Sequence, residues 1–178
     1  MIQTKPAACF GQGIYRNFLA AILILLPLTT LLSAAVQGEE KPRWFGGTFD
    51  NMTTLAYGVP DSDYVMLSFA CAVGKPVVTV NVQDEASRAN EGTLLPVRLS
   101  AGGQRIEFSE KAILNQDSGG ADVTGHLPLD DTLRRILSAE GNLEIVVDGH
   151  TQRYAMDGAA KLAARMIATC NGKFVGRD

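Results

Sequence analysis

Between Tyr64 and Val82 the apolar residues follow a two-residue rhythm. Val65, Leu67, Phe69 and Cys71 alternate with Met66, Ser68 and Ala70, which places the first set on one face of a strand spanning 64–73. After the turn Gly74-Lys75-Pro76, the β-branched run 77–82 is expected to pair with that strand as a hairpin. A second hairpin is predicted where 94–100 and 104–109 flank Ala101-Gly102-Gly103, and a third where 143–147 and 151–156 bracket Asp148-Gly149. Both connections hold residues that accept the positive φ angles of a tight turn. Further strands are expected over 44–54, with Gly46-Gly47 as a bulge or turn, over 111–115 and over 121–127. Turns are expected at Gly58-Val59-Pro60-Asp61 and over 116–120. The polar stretch 83–92 reads as a loop, with one helical turn over 84–90 as the alternative.

Two segments change to a helical period. Leu133, Ile136 and Leu137 form an apolar stripe within 129–140, where Asp130 or Asp131 serves as cap and Gly141 ends the helix. Ala159, Leu162, Ala163, Met166, Ile167 and Cys170 recur at three- and four-residue steps, with Asp157 as the expected N-cap and Gly172 just past the end. Strands dominate, helices come late, and the two do not alternate. The expected fold class is therefore α+β: a mainly antiparallel sheet or sandwich with two helices in the C-terminal half. The sequence contains no internal repeat and no low-complexity tract.

The amino end has a different pattern. Lys5 and Arg16 precede an uncharged apolar run over 18–32, and Ser33 and Ala35 then supply small side chains at the third and first positions before a cut. This reads as a secretory leader cleaved after Ala35. The alternative is an uncleaved anchor, against which Pro27, Thr29, Thr30 and Ser33 weigh. No cysteine follows the run to accept a lipid. The expected organisation is a leader over 1–35, a flexible lead-in over 36–43 containing Pro42, one α+β domain over 44–172 and a short tail over 173–178. The expected location is periplasmic or secreted.

Cleavage would remove Lys5 and Arg16 but no acidic residue, leaving 143 residues in which 14 basic groups face 19 acidic ones, a net charge of −5. That length suits one core. The acidic balance argues against nucleic acid, whose phosphates reward a basic face, and against attraction to anionic lipid. Cys9 leaves with the leader, so the exported chain keeps an even pair, Cys71 and Cys170. In an oxidising compartment a structural disulfide is expected. The rival reading, a reactive thiol pair, lacks a C-x-x-C turn.

Candidate chemistry is sparse. Asp117-Ser118-Gly119-Gly120 resembles the nucleophile segment of chymotrypsin-like proteases, but Gln116 stands where that segment has glycine, and both histidines, His126 and His150, follow the serine. Asp, Ser and two glycines also make an ordinary turn. No metal site is expected from two histidines and two oxidised cysteines without ligand spacing, and no cofactor is expected, since Gly46-Gly47 and Gly102-Gly103 lack the lysine or helix start of a phosphate loop. Asp61-Ser62-Asp63 lacks the glycine and distal glutamate of a calcium loop. His150 reads as an exposed turn residue and His126 as a satisfied polar group or surface contact. Glu39-Glu40 belongs to the lead-in and Asp130-Asp131 to a helix start. Asn51-Met52-Thr53 matches a glycosylation acceptor, relevant only in a eukaryotic host. Trp44 and Tyr57 read as core aromatics before exposed contacts.

The order of landmarks supports a comparison with exported families. A tryptophan opens the domain, Leu67-Ser68-Phe69-Ala70-Cys71 leads into a valine-rich strand, Leu143-Glu144-Ile145-Val146-Val147 follows a helix, and Met156-Asp157-Gly158 enters a helix closing on Cys170. This resembles the small periplasmic accessory proteins associated with type VI secretion, in which a strand cysteine and a C-terminal helix cysteine likewise bracket the domain. It is similar, less closely, to the invasion-associated locus B family, whose extra cysteines are missing here. Both resemblances imply a non-enzymatic envelope protein with no catalytic residue to carry over. The expected function is binding of a protein or envelope polymer through a sheet face, edge or loops. The alternatives are an inhibitor of a host or competitor enzyme and a small hydrolase using Ser118 with His126 or His150.

Overall fold

Burial alternates along most strands of the computed structural model, which describes residues 40–172. The strands are β1 (Arg43–Phe49), β2 (Met52–Gly58), β3 (Val65–Ala72), β4 (Val77–Asp84), β5 (Leu94–Ala101), β6 (Gln104–Leu114), β7 (Ala121–Pro128), β8 (Asn142–Val147) and β9 (His150–Ala155). Helix α1 (Asp131–Leu137) precedes β8, and α2 (Ala159–Cys170) follows β9. The strands form one sheet in the order β1-β2-β3-β4-β7-β6-β5-β8-β9, curled into a half-barrel. Every pairing is antiparallel. The α+β class with two late helices is therefore what the chain forms. The expected leader lies outside the described residues.

The inner face carries the core. Leu55, Leu67, Phe69, Val80, Val82 and Val123 from one half of the sheet and Leu95, Val97, Leu99, Leu143 and Ile145 from the other are buried in a single cluster. Strand β6 joins the halves, because its first eight residues pair with β5 and its last three with β7. At Gly125 the two halves come so close that a Cβ would stand 2.4 Å from the Phe108 ring, so a larger residue there would have to displace that aromatic.

Helix α2 packs on β1, β2, β3 and α1. Its buried stripe of Ala159, Ala163, Met166 and Cys170 follows the predicted period. Cys170 is bonded to Cys71 of β3 across a sequence separation of 99 residues. In α1 the Asp130 carboxylate accepts a hydrogen bond from the Leu133 N–H at 2.9 Å, the expected cap.

Four local expectations need correction. Residues 44–54 are not one strand: the chain reverses at Asp50-Asn51, whose φ angles are 43° and 63°, and Gly46-Gly47 lie within β1. The ranges 104–109 and 111–115 are not separate strands but the continuous β6. Residues 84–90 form no helical turn; Asp84 completes β4 and a tight turn follows it. Asp157 does not cap α2, because Gly158 occupies that position with φ 78°, a left-handed backbone that turns the chain without a side-chain cap.

The outer face divides into two kinds of surface. On the β1-β2-β3-β4-β7 half, successive cross-strand rows read Gly47, Thr54, Ala70, Thr79, His126 and Phe45, Ala56, Ser68, Asn81, Thr124. On the other half, Arg98 pairs with Glu107 and Glu144 with Arg153, a charge-alternating surface. Replacing Cys71 and Cys170 together by serine should lower unfolding free energy by about 2–5 kcal/mol. Denaturant titration of the variant against the oxidised chain measures this, and dithiothreitol should reproduce the loss in the wild type.

Candidate functional site

A connected polar cluster lies where β4 ends against the start of β9. Inward positions of β4 run Val78, Val80, Val82 and then Asp84, so a carboxylate takes the next core-facing place. Asp84 is only 2% exposed. Its charge is met from two sides: Oδ1 accepts from the Ala86 N–H at 3.1 Å, and Oδ2 lies 3.1 Å from His150 Nδ1. His150 reaches it because Asp148 and Gly149, with φ 47° and 84°, reverse the chain tightly and start β9 with the histidine facing inward.

The next inward positions of β9 extend the cluster. Gln152 donates from Nε2 to the Gln83 carbonyl at 3.0 Å and accepts from the Tyr154 hydroxyl through Oε1. The Tyr154 ring meets Tyr57 edge to face at 5.0 Å, and Tyr57 meets Trp44 at 5.3 Å. The Trp44 indole N–H donates to the Ala155 carbonyl at 2.7 Å. This line ties β9 to β4 and, through the aromatics, to β2 and β1, none of which is its neighbour in the sheet. Trp44 is buried and Tyr57 packs against the core. Burial pushes the Tyr154 phenol well above its ordinary value, and the nearby Asp84 charge adds to that shift. Tyr64 is raised by burial, and then by the charge and hydrogen bond of Glu85.

An Asp bonded to His Nδ1, with the ring 43% exposed, reproduces the orienting half of a Ser-His-Asp constellation. The nucleophile half is missing from this arrangement. Ser118 Oγ accepts from the Gly120 N–H at 3.2 Å, within a turn that Asn115 Oδ1 also braces through the Asp117 and Ser118 N–H groups. His126 Nδ1 lies 3.1 Å from Thr79 Oγ1 on the outer sheet face. No hydrogen bond among the described residues joins Ser118 to either imidazole. His150 is thus exposed, as expected, but it begins β9 and bonds a buried carboxylate where a turn residue would be free.

Sequence reasoning missed the Asp84–His150 pair because the partners are 66 residues apart. The available signal was the alternation of β4, which carries Asp84 inward if the strand is allowed two more residues. Among the described residues no group of three or more His, Cys, Asp or Glu side chains is placed to hold a metal ion. An open depression of about 480 Å³ crosses β6, β5 and β8 over Arg98, Glu107, Phe108 and Val146. No helix among the described residues is long and apolar enough to cross a membrane.

No family model, curated protein or solved structure matches this chain.

Because Tyr154 loses its proton less readily folded than unfolded, its contribution to stability is complete below about pH 10 and declines as pH rises beyond that. Spectrophotometric titration at 295 nm should show Tyr154 ionising only with alkaline unfolding. Tyr154→Phe should remove that alkaline component at a cost of about 1 kcal/mol at neutral pH, since Gln152 Oε1 loses its donor. His150→Ala should cost about 1–3 kcal/mol by leaving one Asp84 oxygen unpaired in a buried place.

Proposed function

We propose that this chain is an exported, non-enzymatic binding and accessory module of the cell envelope, engaging a protein or envelope-polymer partner through the loops at the Asp84 end of its sheet. The observation that carries the reading is the adjacency of the two loops. A Cβ on Gly120 would stand 2.4 Å from the Asp84 carbonyl, so the 115–120 turn backs directly on the 85–93 segment. Both are stiffened by side-chain to backbone hydrogen bonds: Ser87 Oγ takes the Ala89 N–H, Arg88 reaches the Glu85 carbonyl, and Glu91 takes the Leu114 N–H at 2.6 Å. A surface held in one conformation loses little entropy on binding, and loops on a rigid sheet are where recognition concentrates.

The leader-like amino end and the cysteine pair fit an oxidising compartment. The cysteine placement resembles the accessory proteins associated with type VI secretion, which favours a secretion-linked role in the periplasm. The hydrolase reading is less well supported, because the Ser118 hydroxyl is engaged in its own turn and both imidazoles bond elsewhere.

Capture from an envelope extract by wild type and by a Glu85→Arg, Asp117→Arg double variant, compared by quantitative mass spectrometry, tests the proposal. A partner retained by the wild type and lost at least about tenfold by the variant is the expected result. Equal retention would remove the loops from the reading. Hydrolysis of ester or peptide substrates that disappears in Ser118→Ala would replace it with the enzymatic one.

A further inference from the structure

We infer that the free edge of β1 is a strand-addition site, which takes an extended, uncharged segment of a partner polypeptide with a large apolar side chain opposite Gly47. This edge is separate from the loop surface at Asp84, because β2 and β3 lie between β1 and β4.

Strand β1 ends the sheet and pairs only with β2. The Asp50-Asn51 turn has both φ angles positive and closes on the Phe49–Met52 pair, so Phe49 exchanges its backbone hydrogen bonds with β2, and alternation gives Gly47 and Phe45 the same role. The N–H and C=O groups of Gly46 and Thr48 therefore point away from β2. Among the described residues neither makes a hydrogen bond outside the β1–β2 ladder, and residues 46–49 are all exposed.

The opposite edge of the sheet is guarded. Ala155 of β9 gives its carbonyl to the Trp44 indole at 2.7 Å, and Arg153 sets a charge on the same strand. Sheet edges are commonly blunted by charge, by proline or by a covering element. From Trp44 to Phe49, β1 has neither a charged residue nor a proline. Helix α2 does not close this edge, since it touches β1 while residues 46–49 stay in solvent.

The backbone itself specifies the class of occupant. Donors and acceptors on alternate residues recur about every 6.8 Å along a strand, and an extended polypeptide matches both at that repeat. Side chains then narrow the choice. Phe45, Gly47 and Phe49 share the outer face, opposite Ala56, Thr54 and Met52. Nothing stands within 4 Å of where a Gly47 Cβ would be, so a gap lies between two phenylalanines, of which Phe49 is 79% exposed. An added antiparallel strand meets Gly47 at a non-hydrogen-bonded position, where facing side chains come closest. A large apolar residue there covers the glycine and reaches both rings, whereas a charge would be dried without a partner.

Selection of random peptides displayed on phage against the full chain, followed by synthesis of the recovered sequence, tests this. The expected peptide alternates apolar and polar residues, and its binding slows amide hydrogen exchange at Gly46 and Thr48 at least about tenfold. N-methylation of the peptide amides that face β1 should abolish binding, while methylation of the intervening amides should not. Thr48→Pro removes an outward donor and Gly47→Val fills the gap, and each should weaken binding at least about tenfold. Near-ultraviolet circular dichroism of the buried Trp44 checks that both variants fold, and Gly47→Val keeps every backbone donor if Thr48→Pro does not fold. Failure to recover a peptide that distinguishes the wild type from these variants overturns the inference, as does binding that leaves the Gly46 and Thr48 amides in fast exchange. Self-association of the chain that either variant abolishes would assign the edge to a second copy and overturn it too.

Discussion

A curled sheet with apolar residues on its inner side has to be sealed, and here α1 covers β5 and β6 while β1, β2 and β3 depend on one twelve-residue helix held by one covalent bond. Without α2 the inner faces of β1, β2 and β3 would lose their cover, and the aromatic line from Trp44 through Tyr57 to Tyr154 would open toward water. An amphipathic helix of this length is marginal alone. Its docking depends on the burial of Met166 and its alanines and on the Cys71–Cys170 link, which in the chain-entropy view constrains the unfolded chain by about 4–5 kcal/mol for a loop near 100 residues. For a domain stable by about 5–15 kcal/mol this is a dominant share.

The same curl explains why polar groups sit deep at one end. Strands β4 and β9 approach without being sheet neighbours, so their inward residues must satisfy one another through side chains. Asp84, His150, Gln152 and Tyr154 do so in a connected set. A buried network of this kind adds little net stability when complete, yet each member removed leaves another unpaired. Its consequence for the molecule is a braced base where the 85–93 loop emerges.

Much of the architecture was legible because it rests on local chemistry. The Asp148-Gly149 hairpin follows from two residues that tolerate positive φ, and the inward Cys71 from strict alternation in β3. Where reading failed, a polar residue held an inward place or an uncommon turn pair replaced glycine. Glu110 interrupts the apolar series of β6 and made one strand look like two. Asp50-Asn51 reverses the chain without a glycine, so the pattern over 44–54 reads as a single strand. The Asp84–His150 contact is a product of sheet curvature, which no local pattern records. The Cys71–Cys170 partnership was readable only because the count of cysteines left no other choice once Cys9 was set aside with the leader.

The position of α2 after the last of the described strands has a kinetic meaning. Synthesis runs from the amino end, so the Cys71 thiol emerges 99 residues before Cys170, and Leu67 and Phe69 emerge earlier still. At about 5–20 residues per second that is a delay of roughly 5–20 s. During it the concave side of the nascent sheet has no lid and its sulfur no mate. The domain thus acquires its native form only once Cys170 has been made, and in the interval its oily interior is open to chaperones or to misdirected oxidation.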